Sequence, residues 1–159
     1  MDNKRKNYYL WFFTVFFICS IVLSLTGARK MRTVKLFVKD QDTGDLVIHR
    51  SYIPRSSSTN EDVFWIIKEL ISGPFSTQYE SMFDPEIEVK EIIIKGSVAY
   101  ISFDWSMIES LYENPSLAVR SIVDSILLNI RKLEEVKILI EGIEPVSTFS
   151  EISLQKTFK

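Results

Sequence analysis

The order of apolar patterns predicts an α+β domain behind one N-terminal transmembrane helix. The domain is expected to have two layers, in the order β-β-α-β-β-α-β, with two helices packed on a mixed sheet. Three observations carry that prediction. Five short stretches have strand-like apolar patterning and two have helical periodicity. No Gly-rich phosphate loop joins a strand to a helix, so a nucleotide-binding α/β fold has no support. An uncharged run from Tyr8 to Leu25 stands apart from the remainder of the 159 residues.

That run is interrupted only by Thr14, Ser20 and Ser24, and is flanked by Lys4, Arg5 and Lys6 before it and Arg29 and Lys30 after it. At ~1.5 Å per residue, roughly 18–21 such residues nearly span a hydrocarbon core about 30 Å thick. Hydrocarbon cannot satisfy backbone N–H and C=O groups, so the segment is expected to be helical. A cleaved signal peptide, with Thr26 and Ala28 before the cut, competes with a permanent anchor. Ordinary cleaved signals have apolar regions of only ~7–15 residues, which favours the anchor. Ile18 stands where a lipobox needs a small residue, so Cys19 reads as a plain apolar residue inside the helix. Charge counts on the two sides nearly balance. The layout of a short basic stretch before an apolar run then places residues 1–7 in the cytoplasm. Residues 8–28 form the anchor, 29–32 a linker, and 33–159 a domain outside the cytoplasm, held at the inner membrane by a single pass.

Composition narrows the chemistry. The chain carries 19 basic and 21 acidic residues. With Lys4, Arg5, Lys6 and Asp2 set aside, sixteen basic and twenty acidic residues remain from Arg29 onward, a net charge near −4. Nucleic acid is therefore not expected as a partner. A domain of that net charge is expected to gain nothing from an anionic membrane surface. One Cys excludes an internal disulfide, and one Cys with one His falls short of a zinc site, so no metal or other cofactor is expected.

From Thr33, Val34, Leu36 and Val38 alternate with Lys35, Phe37 and Lys39, the pattern of a half-buried strand. Asp40 to Asp45 is turn chemistry, and Leu46 to Ile53 resumes extended character, giving a hairpin that Pro54 ends. Thr59 or Asn60 caps a helix with Glu61 and Asp62 in its first turn. Val63, Ile66, Ile67, Leu70 and Ile71 form its apolar stripe, and Gly73-Pro74 stops it. Phe75 to Pro85 reads as a loop. Ile87 to Ile94 and Val98 to Phe103 read as a hairpin turning at Lys95-Gly96, and the second is apolar on both faces, as a central strand is. Asn114-Pro115 starts a helix to about Leu133, with Arg120 and Asp124 one turn apart on its outer side. Val136 to Ile140 is the last strong strand, closed by Glu141-Gly142, and Ile152 with Leu154 suggests an edge strand in the tail.

Four segments carry a resemblance. They are Val34-Lys-Leu-Phe-Val-Lys39, the helix end Leu70-Ile-Ser-Gly-Pro74, the hairpin Gly96-Ser-Val-Ala-Tyr-Ile-Ser-Phe103, and Val136-Lys-Ile-Leu-Ile-Glu-Gly142. In this order, from about Val34 to Gly142, the chain resembles the GerMN domain of GerM-type spore-germination proteins and of several bacterial envelope lipoproteins. Leu70, Gly73, Pro74, Gly96 and Gly142 fall on the structural positions of that pattern. The resemblance implies an extracytoplasmic, membrane-attached α+β domain without known catalytic residues, similar in fold to ring-building modules of envelope assemblies. Spore-type members commonly carry two such domains where this chain has one.

The candidate chemistry is thin. His49 shows no Ser, Cys or carboxylate constellation around it, which argues against a general base. Asp84, Glu86, Glu88 and Glu91 lack the Gly turn and terminal Glu of a calcium loop and read as a solvated face. Asp104 and Glu109 could be paired as hydrolase carboxylates, but Asp104 more naturally caps a turn after its strand. Trp65 differs from these. At about 100° per residue it lies nearly opposite the apolar stripe, beside Lys68 and Glu69, either covered by a loop or available to a partner. Leu128 also falls off its inward stripe. Trp65, Lys68 and Leu128 are therefore the interaction candidates. The expectation is a non-enzymatic domain that associates with proteins, including copies of itself, with binding of a cell-wall glycan or a membrane protein as the alternative.

Overall fold

The computed structural model describes residues 11–20, 30–145, 148–149, 152–153 and 157–159. The chain divides into two compact units, Met1–Lys30 and Met31–Lys159. In the first, residues 11–20 are helical (α1) and exposed. Among the described residues no helix is long and apolar enough to cross a membrane. Of the anchor expected over 8–28, residues 8–10 and 21–28 lie outside the described residues.

The second unit opens with an antiparallel hairpin, β1 (Met31–Asp40) and β2 (Leu46–Pro54), in the register Val34↔Ser51, Leu36↔His49 and Val38↔Val47. Val34, Leu36 and Val38 are buried, as the alternation predicts. The Asp40 carboxylate accepts hydrogen bonds from the Asp42 and Thr43 N–H groups and so builds the turn. Helix α2 (Thr59–Ser72) buries the expected stripe. Its cap is Ser58, one residue before the predicted Thr59 or Asn60, and it accepts from the Glu61 N–H at 3.2 Å. Gly73 ends the helix at φ 72°, ψ 161°, a conformation open essentially to glycine alone.

Then come β3 (Tyr79–Glu80), β4 (Val89–Lys95), β5 (Val98–Phe103), α3 (Met107–Glu113), α4 (Pro115–Asn129), β6 (Glu135–Ile140), β7 (Thr148–Phe149) and β8 (Ile152–Ser153). Strand β3 lies inside the stretch expected to be a loop. Helix α3 is also unanticipated, since its core contribution is Met107 and Leu111, a single i, i+4 pair. Helix α4 stops at Asn129, short of Leu133. The chain turns there with Ile130 and Leu133 still buried, so the apolar periodicity outlasts the helix.

The expected single mixed sheet is instead divided. One sheet has the order β2-β1-β3, a second β4-β5-β6, and β7-β8 is a separate small hairpin. The mixed character belongs to the second sheet, where β4 is antiparallel to β5 and β6 is parallel to it. A parallel pair needs a long crossover, and α3 with α4 supplies it. The first sheet is separate from the second, and the edge of β1 that faces away from β2 is occupied. Its far end pairs with β3 at Lys39↔Glu80. Nearer its start, side chains of α4 take the place of a strand. Ser125 Oγ accepts from the Phe37 N–H at 2.8 Å, and Ser121 Oγ donates to the Phe37 carbonyl at 2.6 Å. Asn129 Oδ1 accepts from the Lys35 N–H at 3.0 Å, and its Nδ2 donates to the Lys35 carbonyl at 2.6 Å. Spacing of i, i+4, i+8 puts these three polar side chains in one row along the helix. Both α2 and α4 touch both sheets, and the buried apolar residues form one continuous core.

Candidate functional site

The β1–β2 hairpin has one closed edge and one open edge. Odd-numbered residues of β1 direct their backbone groups to α4 and β3, so the even-numbered ones bond to β2. On β2 the groups facing away from β1 then belong to Ile48, Arg50 and Tyr52. Among the described residues no hydrogen bond occupies that edge. The same three residues project their side chains from the outer face, away from buried Ile53. Ile48 is 53% and Tyr52 64% exposed, and Phe37 stands opposite Ile48 across the pair. A free strand edge and exposed large apolar side chains therefore coincide on one strand, the arrangement that templates pairing with another extended segment. The other sheet guards its outer strands. Asn60 Nδ2 of α2 donates to the Ile92 carbonyl of β4, and Phe158 bridges Val136 of β6.

Beside this hairpin an open recess of ≈ 800 Å³ runs between the start of β1 and the end of α4. Arg32, Lys35, Arg50, Arg131 and Lys132 line it together with Leu128, and no carboxylate does. Arg32 Nη2 lies 2.9 Å from Asp62 Oδ1, out of line for a hydrogen bond. Among the described residues the other four cations have no ion-pair partner.

A smaller recess of ≈ 270 Å³ holds His49, Ser51 and Glu69 beneath Pro74 and Phe75. No local pattern announces this grouping, because Glu69 arrives from α2 while His49 and Ser51 share the inward face of β2. The Ser51 hydroxyl donates to the Glu69 carboxylate. The His49 ring packs on Tyr79 with centroids 5.0 Å apart, and among the described residues it makes no hydrogen bond to Ser51. A nucleophile whose hydroxyl is committed to a carboxylate, with no imidazole on it, lacks the geometry of an activated serine.

The remaining candidates take structural places. Asp104 accepts from the Glu88 N–H at 3.0 Å and the Ser106 hydroxyl at 2.6 Å, the turn-capping role expected of it. Burial pushes its carboxyl pKa up, but these hydrogen bonds outweigh that and hold it below the ordinary value. Glu109 shares a different recess with Asp84 and Ser110. Glu88 pairs with Lys90 at 2.9 Å, which raises the Lys90 pKa. Among the described residues no group of His, Cys, Asp and Glu is arranged to hold a metal. Trp65 is half-buried against the core, with its ring edge-on to Phe64 at 5.3 Å. Lys68 is exposed on α2, and Leu128 borders the basic recess, which Trp65 does not line. Gly96 and Gly142 occupy turns at φ 61° and 75°.

The family model described as "Germane: Sporulation and spore germination" matches residues 35–146. No curated protein matches the sequence. Among solved structures, the fold is similar to the first GerMN domain of the sporulation protein GerM from Bacillus subtilis. That likeness has a TM-score of 0.58 at 20% identity, covering 72% of this chain and 86% of that one. The tandem GerMN domains of the same protein give a TM-score of 0.62 at 18% identity, and this match covers 80% of this chain but only 44% of theirs. A putative lipoprotein from Clostridium perfringens gives 0.51 at 16% identity, covering 80% and 87%.

Proposed function

Because the chain belongs to the Germane family of sporulation and spore germination domains, we propose that it is a non-enzymatic envelope domain acting by protein–protein association. The residue 8–28 segment anchors it to the inner membrane by a single pass, with the domain outside the cytoplasm. The observation that carries the association reading is the edge of β2, where backbone groups unpaired among the described residues meet the exposed side chains of Ile48 and Tyr52. An extended segment of a partner, including the same strand of another copy, adds to that edge through main-chain hydrogen bonds, and the outer-face apolar side chains set the register. Confinement to one membrane raises the effective concentration of such domains, so a weak single contact suffices for assembly.

Crosslinking of the full-length chain in vesicles tests the proposal. Ile48→Lys places a charge in the contact and is expected to reduce crosslinked species about tenfold, in keeping with a buried apolar hot spot. Equal yields from Ile48→Lys and the unaltered chain would refute it.

A second reading rests on a separate observation. The small recess brings polar His49, Ser51 and Glu69 beside exposed Phe75, the mix of aromatic and polar groups that a sugar ring needs. Titration with cell-wall glycan fragments, comparing the chain with Phe75→Ala, separates the two. Saturable binding lost in Phe75→Ala favours the glycan reading, whereas loss of association in Ile48→Lys alone favours the first.

A further inference from the structure

Net charge predicts no attraction to an anionic membrane, but the fold distributes that charge unevenly. Lys35 and Arg50 face each other across the β1–β2 pair, and Arg131 and Lys132 join them from the turn after α4. Glu80, Glu88, Asp124, Glu135 and Glu144 are engaged by other cations elsewhere. The recess is therefore a concentration of positive charge on a domain whose sum is negative, and its four cations, unpaired among the described residues, are exposed. Its position along the chain matters as much as its charge. Arg32 follows the end of the predicted anchor by four residues, a span of no more than about 14 Å. At an anionic lipid surface, screening over a Debye length of about 8 Å still leaves attraction to such a group of cations.

We propose that the recess between the start of β1 and the end of α4 binds the phosphate-bearing headgroups of anionic phospholipid in the membrane that anchors the chain. The proposal rests on the membrane-anchored reading above. Lys35, Arg50, Arg131 and Lys132 supply the charge, and the guanidinium groups of Arg50 and Arg131 can each meet two phosphate oxygens. Leu128, 44% exposed at the rim, offers the only large apolar side chain of the recess that stands well clear of the core.

The test uses the full-length chain in nanodiscs with and without phosphatidylglycerol, read by hydrogen exchange at the amides of residues 30–35 and 128–132. Exchange there is expected to slow in the anionic discs alone, and to recover at high salt. Each cation near such a surface shifts partition about fivefold, so Arg131→Gln with Lys132→Gln should lower occupancy of the lipid-bound state about 25-fold and restore the neutral-disc exchange rates. Both side chains are exposed, and an unchanged circular dichroism spectrum verifies that the variant is folded. A chain that enters neither disc overturns the anchor. A chain that enters both, with equal exchange in the two, overturns the lipid site while leaving the anchor standing. Protection by poly-glutamate without protection by anionic discs also overturns it, and assigns the recess to an acidic protein.

Discussion

Replacing Ser125 by Ala tests how the fold holds its hairpin. Ser125 is fully buried, and its hydroxyl is the acceptor for the Phe37 N–H at 2.8 Å. Alanine leaves that part-buried N–H without its partner. Stranding a buried donor costs about 1–3 kcal/mol, and a part-buried one falls toward the lower end of that range. Ser121→Ala strands only the Phe37 carbonyl, and an under-satisfied carbonyl is better tolerated, so about 1 kcal/mol is expected. The two serines serve one peptide unit, so their effects should be coupled and not simply additive. For a domain of this size, each kcal/mol corresponds to roughly 3–6 °C in Tm. Thermal and urea unfolding of Met31–Lys159, the unit that contains the whole buried core, provides the assay. Ser72→Ala is the control, because its hydroxyl only back-bonds to the Lys68 carbonyl on an exposed turn, and it should stay within about 0.5 kcal/mol. If Ser125→Ala is no more harmful than Ser72→Ala, the polar row on α4 does not seal the strand edge as argued.

Three further outcomes follow from the geometry. Gly73→Ala should cost about 1–3 kcal/mol, since its backbone suits glycine alone and a Cβ would sit 3.3 Å from Ser81 Oγ, whereas Gly96→Ala, with open space around it, should cost nearer 1 kcal/mol in the same urea titration. Asp40 is held below the ordinary carboxyl value of 3.8 chiefly by the Thr43 N–H, and Asp104 is lowered as well. With folded pKa values below the unfolded ones, their contribution to stability is complete above the unfolded value and is lost as pH falls through the folded values. Asp104→Asn, which keeps an acceptor but cannot titrate, should therefore show a shallower loss of urea midpoint between neutral and acidic pH. Trp65→Ala should destabilise the domain by about 1–3 kcal/mol because the ring packs on the core, while Lys68→Ala should change its stability by less than about 0.5 kcal/mol.

Local signals were legible where one residue type answers one physical need. The stripe of α2, its glycine stop, the hairpin turn at Asp40 and the central position of β5 all follow from short-range patterns. Sheet membership did not, because alternation shows which face a strand buries and is silent about which neighbour fills its edge. Ser121, Ser125 and Asn129 held that information, yet polar residues in a helix ordinarily read as a solvent face. Spacing of four through a stretch that also buries Ile122 and Ile126 was the available clue. The open edge of β2 was hidden for the same reason. The basic recess draws its cations from β1, β2 and the turn after α4, so neither net charge nor any local run reveals it. Trp65 shows the limit of helical-wheel reasoning, since an angle from the stripe does not say whether the flank of a helix is covered.

The most direct test is a photoreactive residue at position 48 of the full-length chain, activated in intact spheroplasts and followed by protease added from outside. Association through the β2 edge should yield a crosslinked protein product, either a second copy or a distinct partner, whose domain portion the protease removes. A product that the protease cannot reach, or crosslinking from position 68 on α2 with none from position 48, would contradict it.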